Sequence, residues 1–194
     1  MARQSNGETG WRDLLGRLAK LMEMTDVRRL RTARLDRTVR PMARPASRHL
    51  PIALTLGNAD SQPICVLLNQ LKYVLHWRQN PSYAGAEFLD GYAYCELLGP
   101  SGHWVHPRLA LGLLLLGPEV TYPEHAHPAE EIYAVIAGRA QWRQADDVWR
   151  LRIPGEIVHH ASMEPHAMRT TDEPLLAAYL WQDHLHEGAR LLAR

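Results

Sequence analysis

A chain of 194 residues is long enough to bury a sizeable core as one domain, or as one domain with an appended helical segment. Lys and Arg number 22 against 21 Asp and Glu, a formal charge of +1, so no global field draws in nucleic acid or an anionic membrane; the expected partner is a small molecule. Two cysteines, Cys65 and Cys95, are too few for a disulfide framework and too far apart for a CxxC motif, and both are read as reduced and buried.

The N-terminus carries polar residues where a secretory signal would need an apolar core, and a cytoplasmic location is the expectation. From Gly10 to about Leu35, apolar residues recur at three- and four-residue steps (Trp11, Leu14, Leu15, Leu18, Leu21, Met22), which predicts an amphipathic helix. Arg28 to Arg48 is dense in arginine and contains Pro41 and Pro45. It could imitate a nucleic-acid arm, but it lacks aromatics to stack on bases and reads as a solvated linker. Ile64 to Trp77 has helical spacing again, closed by Pro81 and Gly85.

After about Gly91 the rhythm changes. Short apolar runs at Tyr92 to Leu98, Leu109 to Leu116, Glu131 to Ile136, Ala140 to Gln144, Val148 to Ile153 and Leu175 to Trp181 alternate with breakers, as in a β-barrel or sandwich. The longest of them, Leu109 to Leu116, is too short to span a bilayer. We therefore expect a mainly β chain in two parts: a helical segment over 1–90 packing on a barrel over 91–194.

Six of the eleven histidines, His125, His127, His159, His160, His166 and more loosely His103, lie in the later half beside Gly, Pro and aromatic residues. On an extended chain, side chains two apart share a face, so His125, His127, Glu131 and Tyr133 would point one way if no bulge intervened. Two imidazoles, a carboxylate and a phenol facing one interior would each cost about 2 kcal/mol or more if unpaired, and a metal ion removes that penalty. The bland alternative is a surface loop rich in His and Glu.

The further spacing weakens that alternative. His125, His127, Glu131 and then Gly138 resembles the first cupin motif, with its usual leading glycine displaced to Gly117; Gly155 to His166 resembles the second, in which one more His follows a Gly and a Pro. This implies a cupin fold, a double-stranded β-helix or jelly-roll barrel, and adds His166 to the ligand set. His159 and His160 precede the turn and read as one packed and one exposed residue. More narrowly, YxxHxHxxxExYxxxxGxxxW at Tyr122 to Trp142, PHAMRT at Pro165 to Thr170 and EPLLAAYLW at Glu173 to Trp181 resemble the cupin-type dimethylsulfoniopropionate lyases.

That resemblance implies metal ligands His127, Glu131 and His166, His125 on or near the metal, Tyr133 as a ligand that doubles as catalytic base, and Tyr122 as a second phenol. It implies cleavage of dimethylsulfoniopropionate to acrylate, dimethyl sulfide and a proton. A sulfonium invites aromatic faces. Tyr122, Tyr179, Trp142 and Trp181 are the candidates, with core packing favoured for the two tryptophans. One divalent metal per chain is expected, and this donor set suits zinc, iron, manganese, cobalt or nickel. Two rivals are a cupin dioxygenase or isomerase acting on another small carboxylate, and a non-catalytic binding cupin; a homodimer is compatible with all three.

Overall fold

The computed structural model describes residues 2–22, 33–36, 38–145 and 147–192. Helix α1 (Ala2–Leu21) is followed by the two-residue strand β1 (Arg34–Leu35), a 3-10 turn at Pro45–His49 running into α2 (Leu50–Ala53), then α3 (Gln62–Leu71) and α4 (Ala86–Gly91). Strands then dominate: β2 (Tyr92–Gly99), β3 (Trp104–Val105), β4 (Leu109–Leu116), β5 (Thr121–Ala126), β6 (Glu130–Ala137), β7 (Ala140–Gln144), β8 (Arg150–Arg152), β9 (Ile157–His160), β10 (His166–Arg169), β11 (Leu175–Gln182) and β12 (Arg190–Leu191).

They form two sheets, one in the order β1-β3-β2-β4-β11-β6-β9 and one in the order β12-β5-β10-β7-β8. The chain is mainly β, as expected. The unbroken apolar run of β4 has a physical reason, because the strand is buried on both faces. Leu109, Leu111, Leu113 and Leu115 pack with Trp11, Leu14 and Leu18 of α1 and Ile64 and Leu68 of α3. Leu114 and Leu116 point the other way, into an interior shared with Tyr122, Trp142 and Met168 of the five-stranded sheet. Helices thus cover the outside of the larger sheet, and the space between the sheets is left for the site.

Several expected boundaries move. Helix α1 ends at Leu21, and Leu35 is taken by strand pairing with Trp104, so the helix does not reach it. Residues 23–32 lie outside the described part of the chain, as do Arg28, Arg29, Arg31 and Arg37 of the arginine-rich stretch. The described end of that stretch is tied down rather than solvated throughout: Arg48 pairs bidentately with Asp90 of α4. The second helix ends at Leu71, because Leu75 and Trp77 are buried from an extended segment that hydrogen-bonds Met42. Three strands that sequence alone did not single out as apolar runs, β5, β9 and β10, carry histidines in place of the apolar residues that would have marked them.

Two glycines are geometrically required. Gly138 turns β6 into β7 at φ +70°, where an added Cβ would lie 1.8 Å from the Pro174 carbonyl oxygen. Gly112 on β4 lies under Tyr179, whose ring would meet a Cβ at 2.4 Å.

Candidate metal centre

The histidines and carboxylate do not share one extended strand, as the alternation argument supposed. β5 ends at Ala126, and Glu131 and Tyr133 arrive on β6, which belongs to the opposite sheet. A bulge also intervenes. His166 pairs with His125 and Met168 with Tyr122, so two residues of β10 face three of β5, with the extra residue near Pro123. That bulge is why Tyr122 and His125, three apart, are both buried on the inner face. The result is the expected convergence reached by a different route.

His125, His127 and His166 bring one nitrogen each to within 4.8 Å of one another, and all three side chains are at most 2% exposed. Their second nitrogens are committed. Nδ1 of His125 donates to the Pro123 carbonyl at 2.8 Å, Nδ1 of His127 to Ala129 at 2.9 Å, and Nδ1 of His166 to Glu164 at 2.9 Å. A carbonyl oxygen can only accept, so each Nδ1 carries a proton and each ring turns its Nε2 inward. Glu131 places Oε2 at 3.0 Å from the His127 Nε2 and 3.3 Å from the His166 Nε2. Each of these two gaps closes in one of two ways, by a proton on Nε2 that makes the ring a cation donating to the carboxylate, or by a metal ion that takes the lone pairs of both partners. This buried histidine triad can hold a metal ion, and the donor set fits a divalent transition metal.

The electrostatics agree with that arrangement. Burial opposes ionisation of Glu131, but hydrogen bonds from His127 and His166 outweigh it and hold its carboxyl well below the usual range. Burial, then the neighbouring His166, pushes His125 far down, so this ring is neutral. The phenol of Tyr133 is pushed well above 10 by burial and by the Glu131 carboxylate.

The remaining candidates fall at different distances. On β11, Trp181 lies opposite Glu131 and Tyr179 opposite Tyr133. The Trp181 indole N–H donates to Glu131 Oε1 at 2.5 Å, and its ring lies 4.2 Å from that of His127. Trp142 is 1% exposed and packs 5.7 Å from the Tyr133 ring, with no hydrogen-bond partner for its Nε1 among the described residues, a core position. Tyr122 stacks on His125 at 4.1 Å. His159 is exposed and His160 buried, one of each as the sequence suggested. His160 stacks 3.9 Å from His166 but lies outside the triad of converging nitrogens. His103 is remote, packed on Trp11.

Sequence reading missed the contribution of the helical segment. Tyr83, in the loop before α4, hydrogen-bonds the Tyr122 hydroxyl at 2.9 Å, and with Phe88 of α4 and Tyr92 of β2 it surrounds that ring. Nothing periodic marks Tyr83; only its place between Pro81 and Gly85 could have drawn notice.

The fold and site define a cupin-type barrel with a metal-competent histidine triad at its centre. The chain belongs to the dimethylsulfoniopropionate lyase family, whose sequence profile matches residues 20–177. It is 40% identical over 114 residues to dimethylsulfoniopropionate lyase DddQ of Ruegeria pomeroyi, covering 58% of this chain and 57% of that protein. It is 34% identical over 144 residues to DddL of Cereibacter sphaeroides, which carries the same activity as a provisional name, covering 73% of this chain and 60% of that one. The matches thus span less than two thirds of either relative. The crystal structure of the Ruegeria DddQ superposes with a TM-score of 0.82 at 28% identity, covering 95% of this chain and 96% of that chain. A chain solved among the DMSP lyases RdDddP and RnDddQII gives a TM-score of 0.83 at 27% identity, covering 96% and 100%. The polyketide cyclase RemF of Streptomyces resistomycificus, at a TM-score of 0.51 and 18% identity over 62% of this chain and 81% of that one, shares the fold alone.

Proposed function

We propose that this chain is a metal-dependent carbon–sulfur lyase that cleaves dimethylsulfoniopropionate to acrylate and dimethyl sulfide by β-elimination. The observation that carries the reading is the convergence of three buried histidine nitrogens, with Glu131 Oε2 at 3.0 Å from His127 and 3.3 Å from His166 and the Tyr133 phenol beside that carboxylate, in a member of this family. His125, His127, Glu131 and His166 would hold one divalent ion. When bound, that ion supplies positive charge that acidifies the proton next to a coordinated carboxylate and favours the tyrosinate of Tyr133.

Tyr133 then takes the proton from the carbon next to the carboxylate. The C–H electron pair becomes the new carbon–carbon double bond, the carbon–sulfur bond breaks, and its pair leaves on sulfur as neutral dimethyl sulfide. No general acid is needed for that leaving group. Tyr122 and Tyr179, both buried in the interior between the sheets, are the aromatic surfaces proposed to meet the sulfonium. A small-molecule substrate and a cytoplasmic setting complete the proposal. No helix among the described residues is long and apolar enough to cross a membrane.

The test is direct. Metal-loaded protein is incubated with dimethylsulfoniopropionate and the headspace analysed for dimethyl sulfide, with acrylate measured in solution. Equal amounts of the two products are expected; absence of both from protein shown to contain metal removes the substrate assignment.

A further inference from the structure

Glu131 offers two carboxylate oxygens, and the structure treats them differently. Oε2 faces the Nε2 atoms of His127 and His166 at 3.0 and 3.3 Å. Oε1 is turned away from them and takes the indole N–H of Trp181 at 2.5 Å. An indole nitrogen donates and cannot accept, so this bond can be made only to an oxygen with a free lone pair. The same indole lies 4.2 Å from His127, at 32° to its plane, so one side chain touches two of the proposed ligands. The contact is built into the sheet, since Trp181 and Glu131 are directly opposed on β11 and β6.

We infer that Trp181 is a positioning residue for the metal centre: by holding Oε1, its N–H fixes the carboxylate's torsion, so that Oε2 is the oxygen turned to the ion and approaches it from a set direction. A carboxylate free at both oxygens could chelate through both or swing about its terminal torsion, which is broad and weakly restrained. Locking it holds coordination positions open for a substrate carboxylate. The aromatic face proposed above for the sulfonium therefore belongs to other residues, because the Trp181 ring is already engaged by His127. This inference rests on the metal site of the proposed function but not on the substrate.

Trp181→Phe keeps an aromatic ring against His127 and removes the N–H. Apo wild type and variant are titrated with cobalt(II), following the visible d–d absorption, and melting is recorded without metal. The expected result is a 10- to 100-fold weaker cobalt dissociation constant, the usual effect of removing an outer hydrogen bond to a ligand, together with an altered d–d spectrum. The metal-free melting temperature should fall by only the few degrees that one lost hydrogen bond to a buried carboxylate brings, leaving folded protein on which the affinity is read. If Trp181→Phe does not fold, benzothienylalanine at position 181 exchanges the N–H for sulfur at nearly the same volume and answers the same question. Wild-type affinity and an unchanged spectrum in the folded variant overturn the inference. Failure of the wild type itself to bind cobalt would overturn the metal site beneath it, a separately readable outcome.

Discussion

Tyr133→Phe separates the proposed lyase from a cupin that merely binds metal. The substitution removes one oxygen and keeps the ring, which packs 5.7 Å from Trp142 and 6.0 Å from His160 in the barrel interior. Glu131 loses the phenol as a neighbour but retains Trp181, His127 and His166 as partners. The fold should therefore survive, with a stability change within about 2 kcal/mol, the scale of one hydrogen bond to a charged group. Without the phenolate, elimination should fall by about a hundredfold or more. That is about 2.7 kcal/mol of lost transition-state stabilisation, at the low end of what a positioned general base contributes. Tyr122→Phe should cost less, because the ring that stacks on His125 remains and what is lost is the hydroxyl with its hydrogen bonds to Tyr83 and Tyr92. The assay measures dimethyl sulfide release and exchange of the proton next to the carboxylate, on samples matched for metal content. Near-normal release and exchange by Tyr133→Phe would refute the assignment and pass the base role to Tyr122 or His125.

Further outcomes follow from other contacts. His166→Ala and Glu131→Ala should each lower metal occupancy by elemental analysis and reduce the melting temperature gain on adding metal, because an ion bound by the native state alone stabilises it; unchanged occupancy in both would move the site. Gly138→Ala should destabilise by about 2 kcal/mol or more in thermal denaturation, since the residue sits at φ +70° and its Cβ would fall 1.8 Å from the Pro174 carbonyl oxygen. His103 is pushed down to about 4 from 6.5 by burial, then by His76 and Arg78. The unfolded chain takes up that proton near 6.5 and the folded chain only near 4, so the stabilisation is complete above pH 6.5 and is lost as pH falls towards 4. The gap of about 2.5 in pKa sets an upper limit of about 3 kcal/mol. Urea unfolding at pH 7 and pH 5 should show wild type losing more stability than His103→Phe; equal losses would contradict the burial argument.

What could be read from the sequence divides by physical cause. Strands buried on both faces, β4 and β11, were visible as apolar runs because burial alone selects their residues. The histidine-bearing strands β5, β9 and β10 were not, since their inner faces carry histidine and tyrosine, which no burial pattern marks. The candidate ligands stood out by their spacing, yet the geometry behind that spacing was misjudged: the short gap between His127 and Glu131 is a crossing from one sheet to the other, not a continued strand. Pairings made across the fold were out of reach. Trp181 opposite Glu131 and Tyr83 on Tyr122 each join residues far apart in the chain.

Tyr83 also bears on why the helical segment precedes this barrel at all. Covering the apolar outer face of the larger sheet would be reason enough for α1 and α3, whose buried leucines and isoleucine pack there. That reason does not extend to Tyr83 and Phe88, which reach the inner cluster around Tyr122. The loop holding Tyr83 is fastened to the chain's far end, where the Asn80 side chain donates to the Ala189 carbonyl at 3.1 Å, and Tyr83 itself is buried enough for its phenol to be pushed up to about 12. A neutral phenol so placed can donate to or accept from Tyr122, which in turn lies against His125. The segment before the barrel thus forms part of the wall around the metal-competent triad. A barrel cut out from Tyr92 onward would lose the Tyr83 hydrogen bond and expose the apolar face beneath α1 and α3, two separate reasons for it to fail.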